Sequence, residues 1–194
     1  MDTFNLDTAL HATGALLARR GESAAIVIVG GTALNVMGVI SRATRDVDVI
    51  AAATPGATGP PRDIRPPDPL PESLLAAVAT VARDLGLPDD WLNTTVGAQW
   101  RTGLPPGFVS RVTWQLDGGL WIGLPGREDL IALKLYAAVD DVGPTSPHFK
   151  DLVALGPSPA DLARAADWVR TQDPSPVVAA TLDIVIAHVQ TARR

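Results

Sequence analysis

The sequence contains no cysteine, so disulfide frameworks, thiolate zinc sites and cysteine nucleophiles are excluded. Its three histidines, His11, His148 and His188, are far apart along the chain and do not predict a histidine metal site. No apolar run approaches the roughly 20 residues that a membrane span needs. Residues 1–20 also lack the basic-then-apolar order of a secretory signal. We therefore expect a cytoplasmic protein with no membrane partner.

Positive charge is also scarce. The net charge is -5 and the isoelectric point is near 5.0, which argues against a broadly basic surface for nucleic acids. Local arginine patches are still compatible with this balance, as phosphate-binding groups or as ordinary surface charge. The candidates for such a patch are Arg19, Arg20, Arg42 and Arg45. Because 46% of the 194 residues are apolar, the chain is able to bury a substantial core.

Helices and strands are both predicted in the first half of the chain. Near-helical apolar spacing predicts a helix at 7–19, and the run Ala-Ala-Ile-Val-Ile-Val at 24–29 is typical of a strand buried on both faces. A helix is predicted from 32 to about 40. Alternating acids and aliphatics then predict a strand at 46–50 with one apolar face and one face that carries two carboxylates. Residues 54–71, rich in proline, are predicted to form a long loop that serves as a lid, an RNA guide or a connector.

The second half predicts mainly helices around one hairpin. Asp117-Gly118-Gly119 between two apolar runs is a hairpin signature. The remaining predicted elements are a helix at 74–85, a turn at 88–92 opening into a short helix, hairpin strands at 109–116 and 120–124, and helices at 128–139, 160–170 and 177–190. The predicted fold class is α/β (α+β), with a small mixed sheet in a lobe at 1–124, which includes the loop 54–71, and a mainly helical C-terminal lobe at 125–194.

The clearest chemical pattern is a strand followed by Gly30-Gly31-Thr32, a helix and a second strand that bears Asp46 and Asp48. A glycine pair lets the chain turn tightly, and the next amides are donors that suit phosphate oxygens, to which Thr32 adds a hydroxyl. Carboxylates two residues apart on a strand share a face and are able to bind one or two hard cations such as Mg²⁺. Two such ions activate an attacking oxygen and stabilise a leaving pyrophosphate. The pattern therefore indicates nucleotidyl transfer.

This order of residues resembles the signature of the polymerase-beta-like nucleotidyltransferase superfamily: Gly-Gly or Gly-Ser, a helix, then Asp-x-Asp. Three later segments are similar to the AbiEii/MenT-type nucleotidyltransferase toxins of bacterial toxin-antitoxin pairs. They are Leu-Pro-Asp-Asp-Trp-Leu-Asn at 87–93, Arg-Glu-Asp-Leu-Ile-Ala-Leu-Lys-Leu-Tyr-Ala-Ala at 127–138 and Lys-Asp-Leu-Val-Ala-Leu at 150–155. The resemblance covers roughly residues 24 to 170.

The resemblance implies a specific activity and a set of site residues. It implies that the protein uses magnesium and a nucleoside triphosphate to add a nucleotide to the 3′ end of tRNA. The added nucleotide blocks aminoacylation and therefore translation. The resemblance also implies a cognate antitoxin. It places Lys134 and Asp151 in the active site with Asp46 and Asp48. Thr44 matches a position that is commonly Ser or Thr, whereas Arg45 stands where a hydrophobic residue is usual. The residues implied to bind the nucleotide are Gly30, Gly31, Thr32, Thr44, Arg45 and Lys134.

Lys134 also stands out without the resemblance, because the helix around it is apolar on almost every side. A buried ammonium needs an anionic partner, and we expect the triphosphate or Asp151 in preference to a side chain that extends to the surface. The identity of a third site acid is open. Asp151 is favoured by the resemblance, and the alternatives are Asp117, Asp140 and Asp141.

Two other functions remain as alternatives. One is transfer of a nucleotide to a small molecule or to a protein hydroxyl, which the acidic isoelectric point slightly favours. The other is a non-catalytic, nucleotidyltransferase-like partner protein, against which the intact Asp46, Asp48 and Lys134 argue. The sequence does not identify the transferred nucleotide, because base selection depends on the shape of the pocket.

Overall fold

The computed structural model describes residues 6–140 and 146–192. The helices are α1 (Leu6–Arg19), α2 (Gly30–Val36), α3 (Glu72–Leu85), α4 (Gln99–Thr102), α5 (Arg127–Asp140), α6 (Pro147–Ala154), α7 (Pro159–Gln172) and α8 (Pro176–Ala192). The strands are β1 (Ala24–Val29), β2 (Val47–Thr54), β3 (Arg62–Arg65), β4 (Leu92–Asn93), β5 (Thr113–Asp117) and β6 (Leu120–Leu124). No helix among these residues is long and apolar enough to cross a membrane.

The six strands form one mixed sheet, which confirms the predicted fold class. Its order is β3-β2-β1-β6-β5, and β4 also pairs with β2. The β1–β6 and β2–β4 pairs are parallel, and the other pairs are antiparallel. All six residues of β1 are buried, as its uninterrupted apolar run predicts for a strand that is buried on both faces.

The alternation predicted for residues 46–50 is seen in the burial of residues 46–49, but it ends at Ile50, which is buried like the three alanines that follow it. Asp46 precedes the strand, and Val49–Ala53 are all buried, so the strand has no continuous polar face. β2 is an interior strand, with β1 on one side and β3 and β4 on the other, and α2 also packs against it. Within β2, Asp48 is partly exposed and Thr54 at the end of the strand is exposed, whereas the other residues are buried.

The short elements also differ from the predictions. α2 begins at Gly30 and ends at Val36, the first hairpin strand starts only at Thr113, and the predicted loop contains the edge strand β3. Residues after Trp91 form β4 before any helix, because they pair with the start of β2. The missed helix α6 has eight residues, with Ser146 accepting a hydrogen bond at its N-terminus. Such elements are too short to carry a reliable periodic signal.

The chain divides into two compact units. The first comprises the residues up to Arg101 together with Arg111–Pro125, and the second comprises Thr102–Ser110 and the residues from Gly126 on. In the first unit, α1 packs against α3 and against β6 of the sheet. In the second, α5 contacts α6, α7 and α8, so the C-terminal region is helical as predicted.

Candidate active site

The glycine pair at the end of β1 lies directly against one of the predicted acids. Val29 pairs with Asp48 across the β1–β2 ladder, and Gly30 follows with a φ of +72°. A Cβ atom at Gly30 would lie 2.3 Å from Asp48 Oδ2. Glycine is therefore required here both for its positive φ and for the close approach of the carboxylate.

The loop that leads from α2 into β2 packs against Gly31. A Cβ atom at this position would lie 2.4 Å from Thr44 Cγ2 and 3.3 Å from an Nη2 nitrogen of Arg42. The loop therefore folds back over the glycine turn. The structure thus brings together four of the predicted site residues, Gly30, Gly31, Thr44 and Asp48, and it places Arg42 beside them.

Two hydroxyl groups fix the start of β2 at the glycine turn. Thr32 is buried, and its Oγ1 donates to the backbone oxygen of Asp46 at 2.8 Å. Thr44 Oγ1 lies 3.0 Å from Thr32 Oγ1. Since the one hydroxyl hydrogen of Thr32 goes to the carbonyl, Thr44 must donate to Thr32. The hydroxyl of Thr32 thus orients Asp46, and the predicted contact of Thr32 with a nucleotide stays a prediction.

Asn93 is a residue of this site that the sequence did not reveal. The parallel β2–β4 pair places Asn93 opposite Asp48, and its Nδ2 donates to Asp46 Oδ2 at 3.3 Å. The Val47 amide donates to the Trp91 oxygen at 2.7 Å, which holds the two segments together. The 87–93 segment is part of the resemblance described above, but no local pattern marks a two-residue strand.

The donor chemistry of Asp46 and Asp48 fits Mg²⁺. Both residues are partly exposed, and a carboxylate is the hard oxygen ligand that this ion prefers. Among the described residues, no three His, Cys, Asp or Glu side chains come together as a metal-binding group. Two carboxylates are nevertheless the usual protein contribution at sites where the phosphates of the substrate complete the coordination of Mg²⁺.

Lys134 and Asp151, in the second unit, bind each other. Lys134 Nζ donates to Asp151 Oδ2 at 2.8 Å, and the two side chains are 8% and 1% exposed. Of the partners considered for Lys134, this structure shows Asp151, and the lysine does not extend to the surface. The predicted participation of both residues in the reaction stays a prediction.

The other acids considered for the site occupy different surroundings. Both carboxylate oxygens of Asp117 accept from His11 Nδ1, at 2.9 and 3.0 Å. Asp140 is exposed at the end of α5, and Asp141 lies outside the described residues. Arg45 is exposed on the loop before β2, and its role in binding a nucleotide stays a prediction.

The matches to known proteins each cover only a part of the chain. A family model described as "Nucleotidyltransferase of unknown function (DUF6036)" matches residues 6–60. This stretch contains the glycine turn and both aspartates, and it is less than a third of the chain. No solved structure gives a significant match.

One relative is a vacuolar membrane protease of Pyricularia oryzae, which is 35% identical over 79 residues. The matched residues are 41% of this chain and 7% of that protein, so the chain spans less than a tenth of the relative's length. A match of this extent does not carry the activity of the relative to this chain. The N-terminal region, with its glycine turn and two aspartates, is similar to a nucleotidyltransferase family.

Proposed function

We propose that this protein is a magnesium-dependent nucleotidyltransferase that transfers a nucleotide from a nucleoside triphosphate to the 3′ end of tRNA. The attacking hydroxyl forms a bond to the α-phosphorus, and pyrophosphate leaves. The observation that carries the proposal is the contact of the Asp48 carboxylate with the Gly30 backbone, inside the residues that match a nucleotidyltransferase family. A tRNA that carries an extra 3′ nucleotide cannot be aminoacylated, so translation stops.

The residues of the first unit have distinct roles in this proposal. Asp46 and Asp48 hold Mg²⁺, which when bound neutralises phosphate charge and stabilises the leaving group. Gly30 and Gly31 lack a Cβ atom, which leaves room for the Asp48 carboxylate at Gly30 and for Thr44 at Gly31, so that these groups lie at the turn where phosphates would bind. Asn93 orients the Asp46 carboxylate through its amide hydrogen bond.

The acceptor and the biological role follow from the resemblance to AbiEii/MenT-type toxins. That resemblance supports tRNA as the acceptor, growth arrest as the result and a cognate antitoxin as the partner. It also supports a role for Lys134 and Asp151 in the reaction, beyond the ion pair that they form. The net charge of -5 does not exclude an RNA substrate, because phosphate contacts depend on local arginines.

The test is incubation of the full-length protein with magnesium, total bacterial RNA and each of the four labelled nucleoside triphosphates. We expect label in tRNA-sized bands with the wild type and none with Asp46→Asn or Asp48→Asn. Asp89→Asn, which changes an exposed acid on a turn, is the matched control and should keep full activity. A parallel assay should show that the labelled tRNA no longer accepts amino acids.

Other outcomes contradict parts of the proposal. Label in a small molecule or in a protein would replace tRNA by another acceptor and keep the nucleotidyl transfer. Undiminished tRNA charging would exclude the proposed effect on translation. Absence of label in every acceptor, with folded protein and saturating nucleotide, would favour the non-catalytic alternative.

A further inference from the structure

Strand β5 is the last strand at one edge of the sheet. Among the described strands it pairs with β6 alone, and it also packs against α1. Thr113, Gln115 and Leu116 are exposed, and Leu116 keeps 55% of its surface accessible to solvent. The outer side of β5 is therefore accessible to another strand.

The β5–β6 hairpin determines which backbone groups of β5 point outward. Its loop is the two-residue turn Gly118-Gly119, so Asp117 and Leu120 form the first hydrogen-bonded pair of the ladder. Hydrogen-bonded pairs alternate with non-hydrogen-bonded pairs in an antiparallel ladder. Every second residue of β5, counted back from Asp117, therefore bonds to β6. The N–H and C=O groups of Trp114 and Leu116 point to the outer side instead.

The opposite edge of the sheet is protected against pairing with another strand. Strand β3 has the sequence Arg-Asp-Ile-Arg, so three of its four residues are charged. Asp63 has a φ of +53°, the register with β2 is irregular, and prolines follow at 66 and 67. Charges, irregular backbone and proline are devices that prevent unwanted pairing at a sheet edge. β5 has a regular register and carries only the charge of Asp117, at its end.

The outward backbone groups of β5 complement those of a second, antiparallel β5. A two-fold axis at Gln115 would place Trp114 of each copy opposite Leu116 of the other. Because both residues have an N–H and a C=O on the outer side, each such pair would exchange two hydrogen bonds. This register pairs every residue of one strand with a residue of the other. Other registers leave strand residues unpaired, or they set outward backbone groups opposite residues whose groups point to β6.

The side chains of β5 fit the same register. Leu116 would lie beside Trp114 of the second copy, which removes exposed apolar surface from water. Thr113 would face Asp117, so the one charged residue of the strand would meet a polar group and not a second carboxylate. A two-fold interface in which the same surface of both copies meets is closed at two copies.

We propose that the protein forms a homodimer in which the β5 strands of two copies pair antiparallel about Gln115 and join their sheets. The partner is a second copy because both the backbone groups and the side chains of β5 complement their own rotated image. A strand of another protein would use the backbone groups alone. The inference does not rest on the proposed function, since β5 contains none of the residues to which a role in nucleotidyl transfer is assigned.

The first test measures association of the protein by sedimentation equilibrium at about 1–100 µM, where we expect dimers. Gln115 would face its own copy across the axis, so Gln115→Glu and Gln115→Lys each place like charges opposite each other. Each variant alone should dissociate about fivefold more readily than the wild type, and an equal mixture of the two should associate more tightly than either. Gln190→Glu and Gln190→Lys, at an exposed position on α8, are the matched controls and should not change the association.

The second test measures the register by disulfide cross-linking, which is specific because the chain has no cysteine of its own. The Cα atoms of a non-hydrogen-bonded pair lie about 4.5 Å apart, within the range that a disulfide spans. Gln115→Cys should therefore form covalent dimers in oxidised glutathione. Thr113→Cys is the matched control on the same strand. Its two thiols would stand four positions apart along the ladder, about 13 Å, which a disulfide does not span.

The inference is overturned if the wild type is monomeric at every concentration. It is also overturned if the wild type is dimeric but neither charge variant weakens the dimer, or if Thr113→Cys cross-links as readily as Gln115→Cys. Circular dichroism and thermal unfolding should show that all variants are folded, because both substituted positions of β5 are exposed. The cysteine variants introduce no charge, so they test the interface even if the charge variants unfold.

Discussion

The two units each place a carboxylate at a chemically important position, but in opposite surroundings. Asp151 in the second unit is 1% exposed and meets the ammonium of Lys134 at 2.8 Å. Asp48 in the first unit is partly exposed and lies against the bare backbone of Gly30. The first arrangement neutralises its charge within the protein, whereas the second keeps part of the Asp48 residue accessible to solvent. A buried ion pair by itself is weak support for a functional role.

Breaking the buried pair should have the largest effect. Lys134→Met leaves the Asp151 carboxylate without its ammonium, and loss of one partner of a buried pair costs about 3–5 kcal/mol of unfolding free energy. The double variant Lys134→Met/Asp151→Leu should recover most of this loss, because neither charge remains. Urea unfolding of the two variants measures the difference.

The transfer assay on the double variant then separates structure from chemistry. Full activity in a stable double variant would exclude the catalytic role that the resemblance predicts for Lys134 and Asp151. Equal destabilisation of the single and double variants would instead show that the pair does more than neutralise its own charges.

Removal of the charge of Asp46 or Asp48 should lower the transfer activity and leave the stability of the fold nearly unchanged. Asp48→Asn and Asp46→Asn keep the shape of the side chain, so the melting temperature should change little. We expect nucleotidyl transfer to fall by about 10²- to 10³-fold, as when one group that stabilises a transition state is removed. An activity loss that only follows a loss of folded protein would contradict the assignment of these acids to the active site.

A third variant tests the close approach at the glycine turn. Gly30→Ala introduces a strained positive φ, which costs about 1–2 kcal/mol, and places a methyl group against Asp48. Gly86→Ala is the matched control, because Gly86 has a φ of +65° and nothing within 4 Å of its Cβ position. Both should be destabilised, measured by thermal unfolding, but only Gly30→Ala should lose transfer activity.

The smallest expected effect concerns Asp161, an acid in the capping box at the start of α7. The Ser158 amide donates to Asp161 Oδ2 at 2.9 Å, and this bond, then the Ser158 hydroxyl, and then Arg127, hold the pKa of Asp161 below its ordinary value of 3.8. Because the folded pKa is depressed, the stabilisation is present above pH 3.8 and is lost as the pH falls through the lower folded value.

Asp161→Asn should therefore remove the part of the pH dependence of the unfolding free energy that comes from Asp161. The expected size is about 1 kcal/mol or less, the usual contribution of a cap. Urea unfolding between neutral pH and about pH 2 measures it, with Asp167→Asn as the control on the exposed face of α7. Identical pH profiles for the wild type and Asp161→Asn would contradict the assignment.

The sequence by itself predicted the features that depend on local patterns. The apolar run of β1, the hairpin around Gly118-Gly119 and the long helices α1, α3, α5, α7 and α8 were all predictable. So were the glycine pair and the two aspartates as the centre of the candidate site. In each case, side-chain periodicity or the conformational freedom of glycine acts over a few neighbouring residues.

Only the tertiary structure decided the features that depend on distant partners. β4 is a strand because residues 92–93 pair with the start of β2, and this pairing brings Asn93 to Asp46. Arg42 reaches Gly31 because Asn35 holds its loop, and Lys134 is satisfied because α6 brings Asp151 to it. The sequence carries no local signal for such contacts, since their energy comes from groups that meet only after the chain has folded.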